Sequence, residues 1–148
     1  MTTALFAAAI LLAVNCSAQE MPKIGDTWTG ATNSGKLYVF PPYSLQDRIK
    51  FTVDSIQFNG AVTEDKEIIF VSTSDPDFTI NGKKYIGLPF SYLENKADAI
   101  TLLGWGSYVK INEEWYAAFD YKAPPTNSSR VAFVFKGKTP KGRIVRKK

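Results

Sequence analysis

The chain has 148 residues, enough for one domain, and 45% of them are hydrophobic and 14% aromatic. It contains no histidine and a single cysteine, which argues against Ser-His-Asp and Cys-His nucleophiles, most zinc sites and the commonest general base. The net charge is +4, but the excess of Lys and Arg lies after position 121, so the rest of the chain is mildly acidic. This distribution is not that of a basic nucleic-acid-binding domain.

The first 18 residues have the composition of a secretory signal peptide. They contain no charged side chain, residues 4–14 form an unbroken apolar run, and the small residues Ser17 and Ala18 follow. The run is too short to span a bilayer. The alternative is a buried N-terminal helix, but the segment has no polar residues at helical spacing. We therefore expect cleavage after Ala18 and an exported protein, either periplasmic or secreted.

The cysteine, Cys16, lies at the end of this segment, so the cleaved chain would have no thiol. The alternative is that Cys16 is lipidated and anchors the protein to a membrane. Bacterial lipoproteins usually have Leu three residues before the cysteine and a small residue directly before it. This chain has Ala13 and Asn15 at those positions, which favours cleavage over a lipid anchor.

Residues 19–135 are predicted to form a single β-rich domain, because short apolar runs alternate with turn signals. A long strand is expected over 48–58, with a change of parity near Asp54 and Ser55 that indicates a bulge or two buried faces. Asn59-Gly60 and Asn81-Gly82 are both turn signals, and the second suits a type I′ hairpin. Further strands are expected at 26–29, 36–40, 68–71, 78–80, 83–86 and 130–135.

A short helix is expected near 90–96, because Pro89 is compatible with a helix start. The predicted fold class is therefore mostly β (α+β): an antiparallel sheet, a small sandwich or a partly open barrel, with this one short helix.

An aromatic hairpin over 104–121, with its turn at 112–114, is the most distinctive stretch of the sequence. Strand parity places Trp115, Ala117, Phe119 and Tyr121 on a face that is too apolar to be left in water. Tyr116 then lies on the other face. Recognition by this hairpin would fall to Tyr116, to the tip residues Glu113 and Glu114, and to Trp105, which is otherwise a core residue. Trp28 is a further candidate contact.

Paired carboxylates are the remaining basis for catalysis. A glycan hydrolase needs two acids across a cleft, and the close pairs are Asp75 with Asp77 and Glu113 with Glu114. The first pair is more typical of a turn, and the second of a solvated hairpin tip. The acidic positions also lack the spacing of a calcium loop. We therefore expect no catalytic residue, no metal and no cofactor.

Residues 136–148 are predicted to be a basic tail, since seven of the thirteen are Lys or Arg. A solvated tail is favoured over an electrostatic anchor that makes weak contact with an anionic surface. No aromatic residue lies among these cations to stack on bases, which argues against nucleic acid as the partner.

A succession of short elements resembles a pattern in small exported bacterial proteins of unknown function. The elements are an Asp-Pro-x-Phe turn (75–78), Ile-Gly (86–87), Gly-Trp-Gly (104–106) and Trp-x-Ala-x-Phe (115–119). The end of the signal peptide, Ser-Ala-Gln, is similar to those of Bacteroidetes-type bacteria. The resemblance implies a secreted, mostly β protein, and it brings no named family and no catalytic residue.

The sequence thus predicts an exported, non-catalytic binding protein of the cell envelope whose partner is a protein or a glycan. A periplasmic inhibitor or immunity protein is an alternative, with the 112–114 tip entering an enzyme cleft. A carboxylate-based glycan hydrolase and a purely structural envelope component are the others. The sequence leaves the oligomeric state open.

Overall fold

A large antiparallel sheet dominates the computed structural model, which describes residues 20–39, 44–102, 106–119 and 124–137. The strands are β1 (Asn33–Val39), β2 (Ser44–Val53), β3 (Ile56–Val62), β4 (Ile68–Thr73), β5 (Thr79–Ile80), β6 (Lys83–Lys84), β7 (Ile100–Leu102), β8 (Gly106–Lys110), β9 (Tyr116–Ala118) and β10 (Phe133–Gly137). Eight of them form one sheet in the order β1-β2-β3-β4-β10-β9-β8-β7, and β5 pairs with β6 separately. The prediction of a mostly β fold with an antiparallel sheet is confirmed, and within the described residues the sheet is open, with β1 and β7 at its edges.

Two meanders make up the sheet, and the last strand joins them. Strands β1 to β4 pair consecutively, and so do β7 to β9. Strand β10 lies between β4 and β9, where Val134 is opposite Thr73 on one side and Ala117 on the other. The tip of the β8–β9 hairpin and the end of β10 are therefore close in space.

One face of the sheet is covered by the chain between β4 and β7 and by the lead-in before β1. Phe78 packs edge-on against Phe58 at a ring-centroid distance of 5.3 Å, and its ring centroid lies 5.0 Å from that of Trp115. Phe90 meets the edge of Phe119 at 5.5 Å. As parity predicted, Trp115, Ala117 and Phe119 belong to this buried cluster.

The other face carries a second, more aromatic cluster. Phe135 is at its centre, with the rings of Phe70, Tyr108 and Tyr116 at centroid distances of 5.5, 5.6 and 5.3 Å. Each strand in the middle of the sheet therefore presents apolar side chains to both faces, as β10 does with Val134 on one side and Phe135 on the other. The strand predicted over 130–135 begins only at Phe133. Alternation along that predicted strand would place Val131 on the face of Phe135, but Val131 packs in the first cluster.

The predicted long strand over 48–58 is in fact a hairpin. Strand β2 ends at Val53 and β3 begins at Ile56. The two residues between them, Asp54 and Ser55, both have positive φ, +48° and +68°, as a type I′ turn requires. The change of parity thus comes from a turn, not from a bulge.

Of the two Asn-Gly signals, only the second is a turn. Asn81 and Gly82 have φ of +51° and +76° and join β5 to β6 as predicted. Asn59 and Gly60 lie inside β3, where they pair with Lys50 and Ile49 of β2.

The predicted helix near 90–96 is present only as two single 3-10 turns, Phe90–Tyr92 and Lys96–Asp98. Helical hydrogen bonding stops because Leu93 is extended, with φ −81° and ψ 132°. The N–H groups of Phe90 and Ser91 instead donate to the carbonyls of Ser129 and Asn127. In the described part of the chain, no helix is long and apolar enough to cross a bilayer.

Candidate functional site

The β8–β9 hairpin ends in a tip whose backbone is fixed by one asparagine. The N–H of Ile111 donates to the carbonyl of Trp115 at 2.8 Å. The Oδ1 atom of Asn112 accepts from the N–H groups of both Glu114 and Trp115, at 2.9 and 2.8 Å. The Asn112 side chain therefore holds the backbone of the turn, and both Glu113 and Glu114 are exposed.

The tip carries an ion pair on its first arm. The Lys110 Nζ donates to both carboxylate oxygens of Glu113 at 3.0 Å, and this hydrogen bond raises the pKa of Lys110 despite some desolvation. The carbonyl of Lys110 accepts from Asn95 Nδ2 at 3.0 Å. The pair is exposed and contributes little stability, but it compensates the charge of Glu113.

A cavity of about 380 Å³ lies beside this tip. Three segments form its wall: the lead-in before β1, the hairpin tip with the start of β9, and the end of β10. The lining residues are Lys23, Ile24, Glu113, Glu114, Tyr116, Lys136 and Gly137. The volume is near the lower end of the range for small-molecule sites.

Tyr116 forms the aromatic part of the wall. Its ring is half-buried, stacked on Phe135 at 5.3 Å with an interplanar angle of 21°, and it meets Tyr108 edge-on at 5.5 Å. Neighbouring rings on both sides fix its position, on the face of the sheet that carries Phe135.

Lys136 is the unusual residue of the cavity. It was predicted to begin a basic tail, but it lies in β10 opposite Val71 and is 7% exposed. Its Nζ lies 5.6 Å from the centre of the Trp115 ring. The sequence indicated this position only weakly. Lys136 comes two residues after Val134, so strand alternation places both on the face that packs against Trp115.

Three of the five predicted binding residues, Glu113, Glu114 and Tyr116, therefore meet at one cavity. Trp28 does not line it. Its ring packs 5.7 Å from Phe51 and its Nε1 donates to the carbonyl of Ala31. Trp105 lies outside the described residues. The sequence did not indicate the other lining residues, which are Lys23, Ile24, Lys136 and Gly137.

The other acidic pair, Asp75 and Asp77, lies in a turn, as the sequence predicted. The N–H of Asp77 donates to Asp75 Oδ1 at 3.0 Å, and Asp77 pairs with Lys84 at 2.7 Å. The hydrogen bond from Lys84 lowers the pKa of Asp77. Across the described ranges, no group of three or more His, Cys, Asp or Glu side chains could hold a metal ion.

Comparison with known proteins identifies no family for this chain. No protein-family model matches the chain, and no curated protein matches it. Among solved structures, the uncharacterized protein yfeY from Escherichia coli is similar, with a TM-score of 0.39 and 18% identity over 62% of this chain and 77% of that one. A likeness this low carries no functional argument.

Proposed function

We propose that this protein is an exported, non-catalytic binding protein of the cell envelope, and that the cavity beside the β8–β9 tip is its binding site. The observation that supports this is the convergence of Glu113, Glu114 and Tyr116 with two lysines around about 380 Å³ of open volume. A rigid ring, fixed charges and a concave surface are the usual components of a small-ligand site.

The geometry of the tip also favours binding. Asn112 fixes the turn before any ligand arrives, so less conformational entropy is lost on association. Such a tip can hold its two carboxylates in position as hydrogen-bond acceptors. We infer that the glutamates act as polar contacts on one side of the cavity.

Hydrolysis of glycans is the less favoured function. A glycosidase acid works in an enclosed, partly apolar site that keeps its proton near neutral pH. The side chain of Glu113 is 93% exposed and is paired with Lys110. This is the environment of a solvated contact residue, so the adjacent carboxylates at 113 and 114 suit recognition better than proton transfer.

An NMR titration tests the proposed function. The ¹⁵N-labelled protein is titrated with cellohexaose, hexagalacturonate and tetraglutamate, which are a neutral glycan, an acidic glycan and an acidic peptide. We expect at least one probe to cause saturable shifts in the amides of 112–116 and 136–137. The double variant Glu113→Gln with Glu114→Gln should weaken the binding of that probe.

The matched control is Glu64→Gln with Asp65→Asn, an adjacent acidic pair in the exposed loop between β3 and β4. This double variant should bind as the native protein does. The proposal fails if none of the three probes causes saturable shifts at the cavity, or if the shifts map to another part of the sheet.

An inhibitor or immunity protein is a second candidate, favoured by the prominence of the same tip. Glu113 is highly exposed on a turn that Asn112 makes rigid, and inhibitors often insert a preorganised loop into an enzyme cleft. In that case the protein should inhibit a hydrolytic activity in an envelope extract, and Glu113→Ala with Glu114→Ala should abolish the inhibition. Undiminished inhibition by the double variant would exclude this use of the tip.

A further inference from the structure

Lys136 has a largely buried side chain whose charged end reaches the cavity without an ion-pair partner in the described part of the chain. Within the described residues, its Nζ makes no hydrogen bond or ion pair, and its nearest favourable contact is the Trp115 ring at 5.6 Å. No fully buried side-chain nitrogen or oxygen in that part of the chain lacks a partner. The Nζ must therefore reach the open volume of the cavity, which Lys136 lines.

The surroundings of this ammonium group leave it incompletely compensated. Burial lowers the pKa of Lys136, with Lys23 acting in the same direction, while the charges of Glu114 and Asp26 act against it. None of the acidic groups is close enough for an ion pair within the described chain. A ligand anion at the Nζ would restore the electrostatic stabilisation that burial removes.

The charges around the cavity favour a single negative charge on the ligand. Lys23 and Lys136 contribute two positive charges to the lining, and Glu113 and Glu114 two negative ones. The charge of Glu113 is compensated by Lys110, which lies 3.0 Å away. Asp26 also acts on Lys136, so the acidic and basic groups around the cavity balance. A lining without excess positive charge suits a single carboxylate at Lys136 better than a phosphate dianion.

The two glutamates accept hydrogen bonds but cannot donate them when ionised. A ligand that places a carboxylate at Lys136 must therefore offer donors to Glu113 and Glu114. Hydroxyl groups do this without adding charge. A sugar ring with a carboxylate combines both features.

As an extension of the proposed function, we propose that the cavity binds the uronic acid unit of an acidic glycan, with Lys136 meeting the sugar carboxylate and Glu113 and Glu114 accepting from its hydroxyls. The ligand carboxylate replaces the missing partner of the buried ammonium group. Selectivity for acidic over neutral sugars then resides in Lys136, and selectivity for hydroxylated ligands resides in the tip.

Calorimetric titrations test this inference with three matched probes: digalacturonate, its methyl ester and tetraglutamate. Digalacturonate should bind at the cavity. The ester, which keeps every hydroxyl but loses the charge, should bind at least about tenfold more weakly. Lys136→Met should weaken digalacturonate binding by a similar factor, Lys136→Arg should retain most of it, and the exposed control Lys50→Met should not change it.

Proton uptake gives a readout that a merely structural role of Lys136 would not produce. A bound carboxylate favours the charged ammonium, so binding at about pH 9 should take up protons, measured in two buffers of different ionisation enthalpy. The uptake should vanish in Lys136→Met, whose folding is checked by its melting temperature.

Two outcomes would overturn this inference and leave the proposed function standing. The first is equal affinity for digalacturonate and its ester, with shifts still at the cavity. The second is tighter binding of tetraglutamate, which would identify an acidic peptide as the ligand. If no probe binds at the cavity, the proposed function fails as well.

Discussion

Lys136 holds a positive charge where its side chain is buried against an aromatic ring. The contact with Trp115 offsets part of the loss of hydration, but burial still lowers the pKa of Lys136. The charged form is therefore less stable in the folded state than in water. A residue that lowers the stability of the folded state in this way and also lines a cavity is a candidate functional residue.

We predict that Lys136→Met stabilises the folded protein by about 1 kcal/mol near neutral pH, because it removes a buried charge and keeps an apolar stem of similar length. The unfolded chain binds more protons than the folded one between the lowered pKa of Lys136 and the ordinary lysine value of 10.5. The stability of the native protein should therefore rise with pH through that window relative to the variant. Urea denaturation at a series of alkaline pH values measures both effects.

Lys50→Met is the control, since Lys50 is exposed on β2. It should change neither the free energy of unfolding nor its pH dependence beyond a few tenths of a kcal/mol. If Lys136→Met destabilises the protein instead, the buried ammonium is satisfied by the protein and no ligand is needed to explain it.

Residue types predicted part of the candidate site, and strand pairing determined the rest. Glu113, Glu114 and Tyr116 could be selected because the hairpin and its parity are local features of the sequence. Lys23 and Lys136 could not, because their positions depend on pairs between distant segments, such as Lys136 with Val71. A lysine at the end of an apolar run looks like the start of a tail until its partner strand is known.

At the scale of elements, the β2–β3 hairpin has an unfavourable turn. Asp54 and Ser55 both adopt the left-handed region, which non-glycine residues enter at a cost of about 1 kcal/mol or more. Type I′ turns prefer glycine at the second position. The element therefore folds despite its turn sequence, held by seven cross-strand pairs between β2 and β3.

We predict that Ser55→Gly stabilises the protein by about 0.5–1 kcal/mol, because glycine adopts a φ of +68° without steric cost. Thermal and urea unfolding measure the change. Ser74→Gly is the control: Ser74 is also exposed but is not among the described residues with positive φ, so glycine should destabilise there. Equal effects at the two positions would contradict the turn assignment.

Gly60 is needed inside β3 for a different reason, the close approach of neighbouring atoms. A Cβ at this position would lie 2.8 Å from the Ile49 side chain and 2.9 Å from the carbonyl oxygen of Phe70. An Asn-Gly pair usually marks a turn, and the sequence could not show that this glycine instead makes room for two adjacent strands.

Gly60→Ala should therefore destabilise the protein by about 1–3 kcal/mol through overpacking against a backbone atom that cannot move freely. Gln57→Ala, at an exposed position of the same strand, is the control and should change the free energy of unfolding by less than about 0.5 kcal/mol. Denaturant unfolding measures both. A neutral Gly60→Ala would show that β3 and β4 can separate to admit the methyl group.

At the scale of the whole molecule, Asp47 links three parts of the first meander. Its carboxylate lies 2.6 Å from the Lys36 Nζ of β1 and 3.8 Å from the Lys66 Nζ of the β3–β4 loop. The hydrogen bond and charge of Lys36 lower the pKa of Asp47, with a further contribution from Lys66. Folding therefore favours the ionised form of this carboxylate.

The sign of the pH dependence follows from this lowered pKa. The contribution of Asp47 to stability is fully present above the ordinary aspartate pKa of 3.8, and it is lost as the pH falls through the lower pKa of the folded state. We predict that Asp47→Asn is less stable than the native protein at about pH 7 and that the difference shrinks at about pH 3, as measured by urea denaturation. Asp65→Asn is the control, since Asp65 forms no ion pair in the described part of the chain, and an equal effect there would refute the assignment.

The mostly β fold could be predicted because strand signals are local, whereas the layering of the molecule could not. The alternation of Val131, Phe133 and Phe135 indicated one apolar face for the last strand, but β10 buries Val134 on one side of the sheet and Phe135 on the other. The first face is covered by the long segment between β4 and β7. Some of its N–H groups, such as that of Phe90, donate to carbonyls that are distant in sequence instead of forming the expected helix. Such coverage depends on contacts that no short stretch of sequence specifies.

The position of β10 also determines when the eight-stranded sheet can be completed. A chain that grows from its N-terminus completes the β1–β4 and β7–β9 meanders before the strand that unites them. Until residues 133–137 are made, the two meanders expose the edges of β4 and β9, and the cavity lacks Lys136 and Gly137. Assembly is therefore a late, long-range event, and the growing chain has no early folded intermediate of the full sheet.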